Sequence, residues 1–237
     1  SARTGHPQRW LTGLLVFLAL ILSPLVAIGS EQCTSKPLVI RDGEGHHNIT
    51  SCFDYYQDRS RELTLQDMLG PNAPEFNHHT SGILNYGYTD SVFWVRRTVI
   101  YRHGGDPVED WVLELVLPLV DQADLYVVDS DGEVIGRHPH RYDETWSGRE
   151  FSVPNPVYRL DLEAGEEVTL YLRIETQNTM RLPLHLWELD RYLEKVSVDE
   201  WIQGLFMGAL FALFAYNVFV TMVVREVGYI FYVTYIL

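Results

Sequence analysis

One stretch of this sequence limits its fold more than any other: the 24 residues from Trp201 to Val224 contain no charged side chain. A helix needs about 20 apolar residues to cross the hydrocarbon core of a bilayer. The run therefore predicts a transmembrane helix over 201–224. A charged Arg-Glu pair follows, and residues 227–237 are again apolar but too few to span. We expect 227–237 to be the truncated start of a second transmembrane helix.

The N-terminus carries a second apolar run in different surroundings. Arg3 and Arg9 lie before and at the start of "WLTGLLVFLALIL", and a Ser-Pro pair and small residues up to Gly29 follow it. This order is typical of a secretory signal peptide, which we place at 1–29. An uncleaved anchor is the alternative, because the run approaches a spanning length. Export of the following residues would bring Trp201 to the membrane from outside.

The segment between the two apolar runs is strongly acidic. Residues 30–199 hold 15 basic and 30 acidic side chains, a formal charge of −15. Such a surface repels phosphate backbones, so we expect no nucleic-acid partner and favour neutral or cationic ligands.

Two cysteines, Cys33 and Cys52, lie near the start of the exported segment. An oxidising compartment favours a disulfide between them, which would stabilise the fold by about 3 kcal/mol in the chain-entropy model. A pair of free thiols is the alternative.

Apolar and polar residues alternate through residues 37–187, with turn residues every 8 to 15 positions. In "VTLYLRIE" this alternation puts Val168, Leu170, Leu172 and Ile174 on one face of a strand. Asp131-Gly132 has the chemistry of a tight hairpin, and Gly165 marks another turn. The pattern predicts a mainly β, antiparallel sandwich or jelly roll over 30–187.

Two segments interrupt or end this pattern with helical character. "LTLQDMLG", from Leu63 to Gly70, begins at a capping residue, Thr64, and stops at Gly70-Pro71. "ELDRYLEKVSVDEW" gives a helical connector over 188–200 that leads into the membrane run without a flexible linker. A stiff connector can transmit movement.

The order of these segments resembles a known family, the periplasmic type 2 extracellular domain of bacterial seven-transmembrane receptors with diverse intracellular signalling modules. The resemblance rests on "LTLQDMLG", "NYGYTDSVFWVR", "LELVLPLVDQADLYVVDSDGEVI", "VTLYLRIET" and "LPLHLWE", followed by "GLFMGALFALFAYNVFV" and "YIFYVTYIL". It covers about 200 residues, and its soluble and membrane parts agree.

The resemblance implies a jelly-roll β-sandwich akin to carbohydrate-binding modules, followed by transmembrane α-helices. It also implies a location in the bacterial inner membrane with 30–200 in the periplasm. A cytoplasmic output module, such as a histidine kinase or a diguanylate cyclase, would follow outside this sequence. The function expected for the exported domain is to bind a small ligand, a carbohydrate above all, and to relay binding through the membrane helices.

One strand, "VFWVRRTV", carries two arginines whose roles must differ. Alternation puts Trp94 and Arg96 on one face and Arg97 on the other, where Phe93 and Val95 point inward. The resemblance lays Trp94 and Arg96 on a recurring Trp-Xaa-Arg pair, while Arg97 stands where an apolar residue is usual. Trp94 and Arg96 either brace the fold or bind a ligand.

Loops supply the other candidate ligand contacts, since sugars are held by aromatic faces and a few polar groups. The loop "HRYDETWSGRE" offers Tyr142, Trp146 and Arg149, although Trp146 could instead plug the end of the sandwich. The turn "ETQNTMR" offers Asn178 and Arg181, unless it is a plain polar turn.

No motif indicates catalysis, a cofactor or a metal centre. The histidine pairs at 46–47 and 78–79 lack carboxylates or cysteines at metal-ligand spacing, and no nucleophile elbow or phosphate-binding loop occurs. We therefore expect a binding domain rather than an enzyme.

The membrane run has two polar or small-residue features. Gly204 and Gly208 permit a close approach by another helix, within a helix bundle or in a homodimer, and Asn217 needs a hydrogen-bond partner in hydrocarbon. The rival to a small-molecule sensor is an ectodomain that acts through a protein partner or through dimerisation.

Overall fold

The computed structural model describes residues 36–103, 110–142 and 150–224. Its strands and helices, in chain order, are β1 (Leu38–Arg41), β2 (His46–Asn48), β3 (Phe53–Asp58), α1 (Leu65–Leu69), β4 (Asn77–His79), β5 (Asn85–Tyr88), β6 (Val92–Arg102), β7 (Trp111–Leu115), β8 (Gln122–Val128), β9 (Val134–Arg141), β10 (Val157–Leu160), β11 (Glu167–Glu175), β12 (Thr179–Arg181), β13 (Leu184–Glu188) and α2 (Leu189–Val224). The prediction of a mainly β domain is confirmed, and one helix long and apolar enough to cross a membrane follows it in the described residues.

The strands form two principal sheets. The larger has the order β4-β3-β6-β11-β8-β9, with β1 also paired to β6, and the smaller has the order β10-β7-β13-β2. Strands β5 and β12 form a separate two-stranded sheet. The expectation of jelly-roll connectivity stays a prediction.

One strand pair departs from the predicted antiparallel arrangement, since β1 runs parallel to β6. Strand β3 pairs with β6 only as far as Arg96. The backbone groups of β6 from Val99 onward would therefore lack partners on that side, and β1 provides them.

The two principal sheets face each other across one hydrophobic core. The predicted inward face of β11 is confirmed, since the side chains of Val168, Leu170, Leu172 and Ile174 are all buried in this core. Leu113 and Leu115 of β7 meet them from the smaller sheet.

The outer face of the larger sheet is covered as well. A second apolar cluster there contains Met68 of α1, Trp94 of β6 and Tyr171 of β11. Helix α1 matches the helix predicted in "LTLQDMLG" and lies over this face. Strand β6 consequently buries side chains on both of its faces.

The predicted turns are confirmed at two glycines. Gly132, between β8 and β9, has φ +85°, and Gly165, before β11, has φ +85°. Both values lie in the left-handed region, which glycine adopts without a Cβ clash.

Helix α2 joins the predicted connector and the predicted transmembrane helix into one continuous helix of 36 residues. It starts at the residue after β13, so no loop separates the sandwich from it. Within the described ranges, α2 is the helix long and apolar enough to cross a membrane. The predicted signal peptide, 1–29, and the predicted second helix, 227–237, lie outside the described residues.

Candidate functional site

The start of α2 packs against the outer face of the smaller sheet, and this contact is the most developed polar site in the described chain. Alternation in β7 and β13 turns Glu114, His185 and Trp187 away from the core, and His46 of β2 pairs with Trp187. Tyr192 and Lys195 come to the same place from α2. We name this set the junction cluster: His46, Glu114, His185, Trp187, Tyr192 and Lys195.

Glu114 is the centre of the junction cluster, and its side chain is only 1% exposed. Lys195 Nζ donates to Glu114 Oε1 at 2.9 Å and to Oε2 at 3.2 Å. The indole Nε1 of Trp187 donates to Oε2 at 3.0 Å, and the amide of Asn155 donates to Oε1 at 2.9 Å. A buried carboxylate is stable only with such compensation. Glu114 therefore ties the sheet to α2 through a charge pair whose carboxylate is shielded from water and whose ammonium group is partly exposed.

Stacked rings form the other half of the junction cluster. The ring centroids of His46 and Trp187 lie 3.8 Å apart, and His46 Nε2 lies 2.9 Å from His185 Nδ1. Lys195 Nζ lies 5.7 Å from the Trp187 ring centroid and 5.4 Å from that of Tyr192, distances that allow cation–π attraction. The cation is thus held by a carboxylate and by two aromatic rings.

Packing keeps both imidazoles of the junction cluster neutral near pH 7. The pKa of His46 is lowered to about 4, chiefly by loss of hydration and then by the neighbouring His185. Loss of hydration also lowers the pKa of His185. Two neutral rings can share one N–H···N hydrogen bond, whereas two imidazolium rings would repel each other.

The backbone at the start of α2 is held by loops on both sides. The N–H of Leu189 donates to the carbonyl of Asp110 at 2.8 Å, and the N–H of Glu188 donates to the carbonyl of Gly45 at 3.0 Å. The buried carboxylate of Glu188 accepts a hydrogen bond from the N–H of Gly43. These bonds fix the direction in which α2 leaves the sandwich.

The Trp-Xaa-Arg pair lies elsewhere, on the outer face of the larger sheet. Trp94 is fully buried in the second apolar cluster, where it stacks on Tyr126 with centroids 6.2 Å apart. Arg96 Nε donates to Asp54 Oδ2 at 3.0 Å, and its guanidinium carbon lies 4.3 Å from the ring centroid of Phe76. Trp94 is thus enclosed by other side chains, while Arg96 is partly exposed and contacts Asp54 and Phe76.

Arg97, on the opposite face of β6, is only half-buried. It does not lack an interaction partner. The core thus accepts this arginine at a position where its neighbours on the same face, Val95 and Val99, are buried.

Two loop candidates are brought together by the connection between β7 and β8. The N–H of Tyr142 donates to the carbonyl of Asp121 at 3.0 Å, and the amide of Asn178 donates to the carbonyl of Leu119 at 2.8 Å. Both side chains are exposed, and Tyr142 is 56% exposed.

This end of the sandwich lies opposite the start of α2. Along the β7–β13 pair, Leu184 stands beside Leu115, while Glu188, the residue before α2, stands beside Trp111. Arg181 is exposed on β12, opposite Asn85. The two remaining loop candidates, Trp146 and Arg149, lie outside the described residues.

The remaining sequence predictions are placed as follows. Cys52 is disulfide-bonded, and Cys33, the other cysteine in the chain, lies outside the described residues. In the described ranges, no group of three or more His, Cys, Asp or Glu residues is arranged to hold a metal ion.

In the membrane segment, the polar side chain of Asn217 is buried and donates to the carbonyl of Leu213 at 2.7 Å. Its amide is therefore satisfied at least partly by its own helix. Apart from the adjacent backbone of α2, a Cβ added at Gly204 or Gly208 would meet no heavy atom of the described chain within 4 Å.

Sequence reasoning did not find the junction cluster. Two features of the sequence could have indicated it. One is an acid inside an apolar strand, Glu114 in "WVLEL", and the other is the single lysine of α2, Lys195. An isolated acid at the centre of a buried strand requires a partner, and Lys195 is that partner.

Comparison with known proteins gives one family. The model of the family described as 7TMR-DISM extracellular 2 matches residues 50–188, which is more than half of the chain. The match ends at the last residue of β13, where α2 begins. No curated protein matches the chain.

Proposed function

Since this chain belongs to the 7TMR-DISM extracellular 2 family, we propose that its β-sandwich binds a small carbohydrate in the periplasm and passes the bound state to α2. Membership makes the chain the sensor region of a membrane receptor, with a non-catalytic extracellular domain and an apolar helix. The ligand class, the relay and the bacterial inner membrane are our proposals.

The observation that carries the relay is the hydrogen-bonded charge pair between Glu114 and Lys195. It joins a strand of the sandwich to the helix that enters the membrane, and Lys195 lies six residues before Trp201 along α2. At a rise of about 1.5 Å per residue, that separation is about 9 Å. A change in the smaller sheet therefore has a short and stiff route to the bilayer.

The proposed ligand class rests on the charge of the domain and on its exposed side chains. The exported segment is acidic, which disfavours anionic ligands. Exposed aromatic and amide side chains, Tyr142 and Asn178, stand together at the end of the sandwich opposite α2. Such groups match the apolar faces and hydroxyls of a sugar.

The relay is tested on the full chain in nanodiscs by hydrogen–deuterium exchange of residues 189–200, with and without saturating sugar. A sensor must bind one arrangement of sandwich and helix better than another. We expect a bound sugar to change exchange in this segment at least threefold. If a sugar binds without such a change in exchange, the proposed relay is wrong. If none of D-glucose, D-galactose, N-acetyl-D-glucosamine and maltose binds, the proposed carbohydrate ligand is wrong.

The alternative is an ectodomain that acts through a protein partner or through dimerisation, without a small ligand. Sedimentation of the full chain in a detergent without a sugar headgroup, over a concentration series, tests it. A dimer that forms at micromolar concentration, together with no sugar binding, would favour this alternative.

A further inference from the structure

A cleft of about 460 Å³ lies beside the junction cluster, between the sandwich and the first turns of α2. Its sandwich wall contains Glu44, Gly45, His46 and Trp187, and its helix wall contains Arg191, Glu194, Lys195, Val198 and Asp199. Pockets for small molecules commonly measure 300–1,000 Å³. The cleft has room for a monosaccharide or a small disaccharide.

We propose that this cleft is a binding site for a neutral saccharide, which bridges the sandwich and α2. The inference rests on the carbohydrate function proposed above and gives it a location distinct from the candidate loops at the far end. Neither Tyr142 nor Asn178 lines the cleft.

The charged side chains that line the cleft already have ion-pair partners, either within the cleft or beside it. Arg191 Nη1 lies 3.0 Å from Glu194 Oε2, Lys195 Nζ lies 4.0 Å from Asp199 Oδ2, and Arg41 Nη1 lies 3.1 Å from Glu44 Oε1. A charged ligand would have to displace one of these partners. A neutral ligand can instead use the free lone pairs of the carboxylates and the free N–H groups of the cations.

The cleft also has an aromatic surface. His46 stacks on Trp187 and remains exposed, so one ring of this pair is open to a ligand. The C–H face of a sugar packs on such rings, while its hydroxyls meet the surrounding charged groups. An aromatic surface surrounded by donors and acceptors is the chemistry that a neutral saccharide needs.

Because one wall of the cleft belongs to the sandwich and the other to α2, a bound ligand can affect how the two are positioned. A Cβ added at Gly45 would lie 3.4 Å from Cγ of Arg191, so sandwich and helix already touch at one end of the cleft. A ligand in the remaining space contacts both walls, and its affinity therefore depends on the position of α2. That dependence is what allows a ligand to shift a conformational equilibrium.

The test uses the full chain in nanodiscs, because maltoside detergents would compete for the site. The probes are D-glucose, D-galactose, N-acetyl-D-glucosamine and maltose, followed by saturation-transfer NMR and calorimetry. Val198→Trp fills the cleft from an exposed position on α2, and Leu193→Trp is the matched control on the same helix, exposed but not lining the cleft.

We expect at least one probe to bind, Val198→Trp to weaken it tenfold or more, and Leu193→Trp to change it by less than twofold. D-glucuronate should bind at least fivefold more weakly than D-glucose, because its carboxylate would have to displace a carboxylate of the protein from its cation. Equal binding by wild type and Val198→Trp overturns the cleft but leaves the proposed function standing. Absence of binding by all four probes overturns both.

Discussion

Glu114 of β7 and Lys195 of α2 are 81 residues apart in the chain, yet the ammonium group of Lys195 lies within 3.2 Å of both carboxylate oxygens of Glu114. Lys195 is the cation that neutralises this buried carboxylate in the described structure. The other two side chains that donate hydrogen bonds to Glu114, Trp187 and Asn155, are uncharged. The pair is therefore both a structural bond between sandwich and helix and a sensitive point for mutation.

Lys195→Met should destabilise the full chain by about 2 kcal/mol, because it leaves a buried charge without its counter-charge. For a chain of this size, that loss lowers the melting temperature by about 4–8 °C. Thermal unfolding in nanodiscs, followed by near-UV circular dichroism, measures it. Lys195→Arg is the control, since it keeps the charge, and a melting temperature of Lys195→Met equal to wild type would contradict the burial of the pair.

The double variant Glu114→Gln with Lys195→Met should recover more than half of the stability lost in Lys195→Met. The amide removes the charge but still accepts the indole hydrogen bond of Trp187. A double-mutant cycle on the free energies of unfolding gives the coupling energy between the two side chains, which we expect to exceed about 1 kcal/mol. Strictly additive effects would show that the two side chains do not stabilise each other.

Stability should also depend on pH through His46. Its folded pKa, about 4, is below the usual value of about 6.5, chiefly because of lost hydration and then because of His185. The unfolded chain therefore binds the proton first, and stability falls as the pH falls from about 6.5 towards 4, then levels off. His47 and Lys195 act in the same direction as His185, and Glu114 opposes them.

His46→Gln should flatten this dependence. The check is a comparison of wild-type and variant melting temperatures between pH 7.5 and 4.5, at constant ionic strength. The two curves should approach each other as the pH falls. Parallel curves over the whole range would mean that His46 titrates alike in the folded and unfolded chains.

The parts of the fold that depend on neighbours in sequence could be predicted. Alternation identified the buried face of β11, glycine marked the turn at Gly132, and the helix α1 followed from its capping residue and its stop signal. Each of these signals is local, and each has one dominant physical reason.

The junction cluster could not be predicted, because it depends on contacts far apart in the chain. His46 and His185 are 139 residues apart, and only the pairing of β2 with β13 brings them together. Likewise, alternation showed which face of β6 carries Trp94. The sequence of the strand does not show that α1 covers this face, because that is a tertiary contact with another segment.

The open face of α2 around Gly204 and Gly208 gives a separate prediction. Because a Cβ there meets no heavy atom of the described chain within 4 Å apart from the adjacent backbone of α2, Gly208→Leu should not destabilise the chain and should gain up to about 1 kcal/mol of helix propensity. We expect the mass in sedimentation to stay the same as well, as packing within a helix bundle requires. A dimer lost in Gly208→Leu but kept in Phe206→Leu, a control on the other side of the helix, would assign this face to self-association instead.

Trp94 and Arg96 can be separated by three substitutions. Trp94→Ala should cost about 3–5 kcal/mol, because it opens a cavity in the cluster beneath α1. Trp94→Phe should cost less than about 1.5 kcal/mol, since the indole Nε1 has no hydrogen-bond partner among the described residues and a smaller ring still fills most of the space. Arg96→Ala should cost about 1 kcal/mol, the value of a partly exposed ion pair with Asp54 and a contact with Phe76. Melting temperature and sugar binding are measured on each variant. If Trp94→Phe or Arg96→Ala keeps the melting temperature but binds no sugar, the Trp94–Arg96 pair recognises the ligand. If both variants still bind sugar, the pair braces the sheet.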